Sequence, residues 1–233
     1  MNDHTNIVRI KAVNRALANL GQEFVFVGGA VVSLYADRSA EEVRPTEDVD
    51  VLVEIYSRFD YSRLEERLRE LGFRNDTTSG FIGRYITENL IVDFMPLEEN
   101  VLGFNNRWYA EGFKNAVTLT LDEHNNIKIF AAPYFLAAKL EAFKNRGKNE
   151  YGEYDGRGST DFEDIVYLLV NRTAIWKEMQ QSANDVRAYL KFEFTALLNN
   201  PDFEEWIDSN TGYGSPAAQA IVLPLARRFI KAE

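Results

Sequence analysis

Apolar positions recur along this chain at helical spacing, then at strand spacing, then again at helical spacing to the end. Ile7, Ile10, Val13, Leu17 and Leu20 predict a helix over 7–20, closed by Gly21. Phe24-Val25-Phe26-Val27 is a short apolar strand. Gly28-Gly29 then make a tight turn into a helix over 30–35. A loop over 36–47 leads to a strand over 48–55, and a charged surface helix over 61–71 stops at Gly72. Two strands, 81–87 and 90–95, flank a Glu88-Asn89 turn. A second hairpin, 116–121 with 127–131, turns through residues 123–126. From Pro133 onward helical periods dominate: 133–145, 161–171, 174–180, 183–199, 202–209 and 216–231. The expected fold class is therefore α+β, a mixed sheet with flanking helices followed by a C-terminal helical lobe. The division predicts domains over 1–132 and 133–233.

Composition narrows the function classes. The 233 residues are 45% hydrophobic and 13% aromatic, which supplies a core and excludes disorder as the main description. With 26 basic and 36 acidic residues the net charge is −10, so a salt-driven nucleic-acid coat is not expected. Cysteine is absent, which removes disulfides, thiolate metal sites and cysteine nucleophiles. Neither a signal-peptide pattern nor a membrane-length apolar run is read in the sequence, and a cytoplasmic location is the expectation. The two histidines, His4 and His124, have no zinc-site spacing. Residues 145–159 contain four glycines and no aliphatic side chain, so a mobile loop is expected, either a surface insertion or a lid. Trp108-Tyr109 and Tyr134-Phe135 have two readings, a base-stacking surface or core aromatics, and core is favoured.

The candidate chemistry starts at Asp48-Val49-Asp50-Val51. Side chains alternate across a strand, so both carboxylates face one way and the valines the other. Two close acids repel, and a cation between them relieves the repulsion. Hard oxygen ligands in this number suit Mg²⁺. Asp93 lies in a second apolar strand. If the two strands are neighbours, three carboxylates converge in the arrangement used for metal-assisted phosphoryl transfer. Gly28 and Gly29, between a strand and a helix, would let a backbone approach a phosphate, and Ser33 would add a hydroxyl.

Later, Lys139, Phe143 and Arg146 share one helical face, as do Asp161 and Asp164. Lys139 suits a triphosphate, and Arg146 a carboxylate or phosphate held by two hydrogen bonds. For Asp161 and Asp164 three readings stay open: a helix cap, ion pairs with Lys139 and Arg146, or nucleotide contact.

The strand, Gly28-Gly29, helix, Asp48-Val49-Asp50 and Asp93 series resembles the DNA polymerase β-like nucleotidyltransferase superfamily. Within it, the chain is similar to the AbiEii toxin-type family. Arg44-Pro45-Thr46-Glu47-Asp48-Val49-Asp50, the run Lys139 to Arg146, and Asp161-Phe162-Glu163-Asp164 resemble that family's second, third and fourth motifs. The resemblance covers residues 27 to about 170. It implies a bacterial, Mg²⁺-dependent enzyme that moves a nucleoside monophosphate from an NTP to a transfer RNA or protein acceptor, as the toxin of a toxin–antitoxin pair with a cognate antitoxin. Asp48, Asp50, Asp93 and Lys139 would be catalytic, the three acids holding the metal, Asp93 also helping to activate the acceptor hydroxyl and Lys139 neutralising charge on the phosphates. Gly28, Gly29, Ser33, Lys139, Arg146, Asp161 and Asp164 would meet the nucleotide. Two other readings stand beside it: transfer to a small cationic molecule of the antibiotic type, and a catalytically silent nucleotide-binding module.

Overall fold

The computed structural model describes residues 2–38, 43–103, 106–211 and 218–232. Residues 39–42 of the expected loop and 216–217 of the last expected helix lie outside these. The chain forms two compact units. The first comprises the chain up to Ser33 and the stretch ending at Ala131, and the second takes the stretch from Leu34 and everything from Ala132. The short 34–38 stretch, read from sequence as part of the front half, thus belongs with the helices.

The first unit is built on one seven-stranded mixed sheet in the order β3-β4-β5-β2-β1-β7-β6. In chain order it contains α1 (Asn2–Ala16), β1 (Phe24–Val27), β2 (Asp48–Val53), α2 (Arg58–Glu70), β3 (Arg74–Asn75), β4 (Arg84–Thr87), β5 (Leu90–Pro96), α3 (Glu99–Leu102), α4 (Tyr109–Lys114), β6 (Ala116–Asp122) and β7 (Asn125–Phe130). The helix expected over 30–35 is a 3-10 helix, Gly29–Tyr35, which follows β1. The first helix ends at Ala16 rather than Leu20. Leu17 and Leu20 are nonetheless buried, so the apolar period outlasts the helix itself.

β1 pairs antiparallel with β2, and β2 pairs parallel with β5. β4 returns antiparallel to β5 through Glu88 and Asn89, both left-handed at φ 46° and 67°, the two-residue turn that suits strand twist. The second hairpin is tighter than expected, because β7 starts at Asn125 and leaves only Glu123 and His124 between the strands. Val92, Phe94 and Tyr85 alternate with Asp93 and Arg84 across the sheet. Tyr85 and Phe94 are fully buried and meet edge to face at 5.5 Å. Helix α2, capped by Ser57, covers that apolar face through Tyr61 and Glu65, whose side chains reach the Tyr85 hydroxyl. The charged residues are therefore left on the opposite face.

The second unit is helical: α5 (Ala132–Arg146), α6 (Thr160–Asn171), α7 (Ile175–Gln181), α8 (Asn184–Asn199), α9 (Phe203–Ser209) and α10 (Ala218–Lys231). α5 is buried along most of its length and packs on α6, α7 and α8. Phe143, Phe162 and Trp206 form an aromatic core with centroids 5.0–5.8 Å apart. Asp37 accepts hydrogen bonds from the backbone of Thr173 and Ala174, and Tyr35 stacks on Phe135.

The glycine-rich stretch, expected as a mobile loop, carries contacts of its own. Lys148 bridges to Tyr154, Asn149 and Glu153 join through their backbones, and Asp155 N–H donates to Gly147 O. The Tyr154 ring packs on Phe143 at 5.9 Å. The indole of Trp206 lies against Gly156, whose carbonyl accepts from Asn210 Nδ2 at 2.9 Å. Backbone hydrogen bonds and aromatic rings thus hold the segment in place of the aliphatic side chains it lacks. No helix among the described residues is long and apolar enough to cross a membrane.

Candidate functional site

Asp48 and Asp50 alternate with buried Val49 and Val51 in β2. The parallel register sets Asp50 opposite Asp93, and the antiparallel register sets Asp93 opposite Arg84. Directly paired residues point to the same side of a sheet, so Asp48, Asp50, Asp93 and Arg84 share one face. The expected neighbourhood of the two acid-bearing strands is thus present.

Arg84 is the residue that the sequence reading missed. Its Nε donates to Asp93 Oδ1 at 2.8 Å, and its Nη2 donates to Asp93 Oδ2 at 2.7 Å and to Asp48 Oδ2 at 2.8 Å. The hydrogen bond to Asp93 raises the guanidinium pKa, burial opposes this, and the charges of Asp93, Asp48 and Asp50 raise it further. A signal existed: counting outward from a two-residue Glu88-Asn89 turn places residue 84 opposite residue 93. The bond to Asp48 had no such signal, because it depends on β2 lying beside β5.

Gly28 is left-handed at φ 74°, and a Cβ there would come within 1.7 Å of Asp50 Oδ2. The missing side chain is what lets the Asp50 carboxylate rest against the turn. At Gly29, a Cβ would stand 3.0 Å from Thr46 Cγ2 and 3.2 Å from Arg44 Nη2, so a cation lies over the second glycine. Asn6, fully buried on α1, holds the approach to β2: its Nδ2 donates to Arg44 O at 3.1 Å and its Oδ1 accepts from Thr46 N at 3.0 Å. Nothing in the periodicity marked Asn6. The Ser33 hydroxyl is buried and has no hydrogen-bond partner among the described residues.

The donor set suits Mg²⁺ by type, being hard carboxylate oxygens on one face. Among the described residues no three His, Cys, Asp or Glu side chains stand as a ready-made metal cluster. Arg84 supplies the positive charge shared by Asp48 and Asp93.

In the helical unit, Lys139 Nζ lies 3.2 Å from Asp161 Oδ1 and 2.5 Å from Asp164 Oδ2, and all three side chains are at least nine-tenths buried. Arg146 donates to Asp161 through Nε at 2.6 Å and Nη2 at 2.9 Å. Burial works to raise the Asp161 pKa, but the Arg146 hydrogen bond and the Lys139 and Arg146 charges outweigh it and hold the carboxyl below its ordinary value. The helix is capped by Ser159, whose hydroxyl accepts from Phe162 N, so Asp161 is an ion-pair partner rather than the cap. The ion-pair reading of these acids describes their geometry, with Arg146 on Asp161 and Lys139 on both acids. Trp108, Tyr134 and Phe135 are buried, as core aromatics are.

No family model matches the chain, and no curated protein sequence matches it. Solved structures do. A crystal structure of an antigenic nucleotidyltransferase-like protein from Paracoccidioides brasiliensis superposes with a TM-score of 0.51 over 94% of this chain and 96% of that one, at 16% identity. At that identity the likeness speaks for the fold alone. The mixed sheet and the helices that follow constitute a nucleotidyltransferase-like fold.

Proposed function

We propose that this protein is a nucleotidyltransferase that moves a nucleoside monophosphate from an NTP to an acceptor hydroxyl. The observation that carries the reading is the gathering of Asp48, Asp50 and Asp93 on one sheet face, with the Asp50 carboxylate seated against the Gly28 turn. The acceptor oxygen attacks the α-phosphorus, a new P–O bond forms, the bond to the β-phosphate oxygen breaks, and pyrophosphate leaves. The acceptor proton passes to a carboxylate of this face. Mg²⁺, held by Asp48 and Asp50 with Asp93 beside them on the same face, would neutralise phosphate charge and orient the triphosphate. Gly28 and Gly29 offer close backbone approach, Arg44 lies over Gly29, and the unbonded Ser33 hydroxyl is a donor in reserve.

Within the helical unit, Lys139, Asp161 and Asp164 are buried together, and Arg146, 69% accessible, rests on the Asp161 carboxylate.

The AbiEii resemblance supports a toxin-type enzyme with an RNA or protein acceptor and a cognate antitoxin. The net charge of −10 favours a second reading, a small cationic acceptor. Incubating the protein with Mg²⁺, labelled NTPs and cell extract, then identifying labelled products by mass spectrometry, tests both. A labelled RNA or protein supports the first, and a labelled small cation the second. Binding of NTP without any transfer, equal in wild type and Asp50→Asn, supports the silent module.

A further inference from the structure

We propose that Arg84 is the resident counter-cation of the acidic face and sets its affinity for a divalent ion, which must take Asp48 from the guanidinium to bind. The inference rests on the nucleotidyltransferase reading and deepens it.

The two arms of Arg84 are unequal. Asp93 is gripped by two parallel hydrogen bonds, at 2.8 and 2.7 Å, and its side chain is 9% exposed. Asp48 is held by one bond at 2.8 Å, shared with Asp93 on the same Nη2, and its side chain is 34% exposed. A bidentate, buried pair is much stronger than a single, wetter one. Asp48 is therefore the arm that opens.

Competition follows from geometry. Mg²⁺ demands carboxylate oxygens at about 2.0–2.1 Å in near-octahedral array. Asp48 Oδ2 already faces a guanidinium N–H, and an ion on that oxygen would stand against a fixed positive charge. The backbone leaves Arg84 little room to withdraw. Its neighbour Tyr85 is fully buried, and its own strand is registered to β5. The side chain alone moves, pivoting on Asp93. Without a metal, Arg84 keeps three close acids from repelling one another. With a metal, it stays on Asp93 and lets Asp48 go.

The test is Mn²⁺ binding to the full chain without nucleotide, followed by electron paramagnetic resonance, together with thermal unfolding in EDTA and in Mn²⁺. Arg84→Gln removes the charge, and Arg84→Lys keeps it but cannot span both acids. Arg84→Gln is expected to bind Mn²⁺ on the order of tenfold more tightly than wild type. It should also melt lower in EDTA and regain more stability from Mn²⁺ than wild type does. Arg84→Lys should fall between the two, and it carries the test if Arg84→Gln does not fold. Adding Asp48→Asn to either variant should erase the gain, which a merely structural role of Arg84 would not predict. Equal or weaker Mn²⁺ binding in both variants, with wild type binding, overturns the proposal and leaves the enzyme reading standing. No Mn²⁺ binding by wild type or variants, even with NTP, overturns both.

Discussion

Arg84 and Asp93 face each other across the β4–β5 hairpin and share two hydrogen bonds, at 2.8 and 2.7 Å. The same guanidinium reaches Asp48 in the strand beyond. One cation thus ties together carboxylates that are 45 positions apart in the chain but one strand apart in the sheet.

Asp93 and Asp48 should respond differently to neutralisation. Asp93→Asn leaves Arg84 partly buried without its two-bond partner and should cost about 2–4 kcal/mol in urea unfolding. Asp48→Asn removes a half-exposed partner and should change stability by no more than about 1 kcal/mol. Both should abolish nucleotide transfer. Equal stability losses would mean that the unequal grip described above is wrong.

Gly28→Ala should affect the fold and the site together. Its left-handed backbone strains any side chain, and the new methyl collides with the Asp50 carboxylate. A loss of about 1–3 kcal/mol is expected, with transfer reduced at least as far as in Asp50→Asn. A crystal structure of the variant should find Asp50 displaced from the turn.

Lys139→Ala should destabilise the helical unit by about 3–5 kcal/mol, because it leaves Asp161 and Asp164 buried without their shared cation. Replacing all three by apolar residues of similar volume should restore much of that stability. If Lys139→Ala melts like wild type while NTP binding falls, the residue serves the ligand and not the helices.

The Asp161 carboxyl has a depressed pKa in the folded chain. A depressed carboxyl stabilises the fold above its unfolded pKa, and the contribution is lost as pH falls through the folded value. Stability conferred by Asp161 should therefore be complete at neutral pH and decline below about pH 4. Melting curves of wild type and Asp161→Asn should converge as the pH is lowered. Parallel curves across that range would remove Asp161 as a source of acid sensitivity.

The helices after Pro133 were legible from periodicity within about two residues at each end, although α5 is buried along most of its length and not on one stripe alone. Alternation in 48–53 showed that Asp48 and Asp50 share a face, and the Glu88-Asn89 turn fixed the β4–β5 register locally. Two local features went beyond what the pattern could specify. The helix at Gly29–Tyr35 winds as a 3-10 helix, a distinction that periodicity over seven residues does not draw, and the glycine-rich 147–156 stretch closes through backbone hydrogen bonds that composition does not encode.

What lay beyond the sequence was every contact between distant segments. That β2 lies beside β5, bringing Asp50 opposite Asp93, was an expectation that strand pattern alone does not decide. Arg84 on Asp48, Asn6 holding the Arg44–Thr46 approach, and Lys139 shared between two acids all depend on which elements pack together. The sequence by itself determined which residues are apolar, where they repeat and which charges fall on a common face. Tertiary structure decided which charges meet, because a side chain's partner is set by the packing of whole elements and not by its own neighbours in the chain.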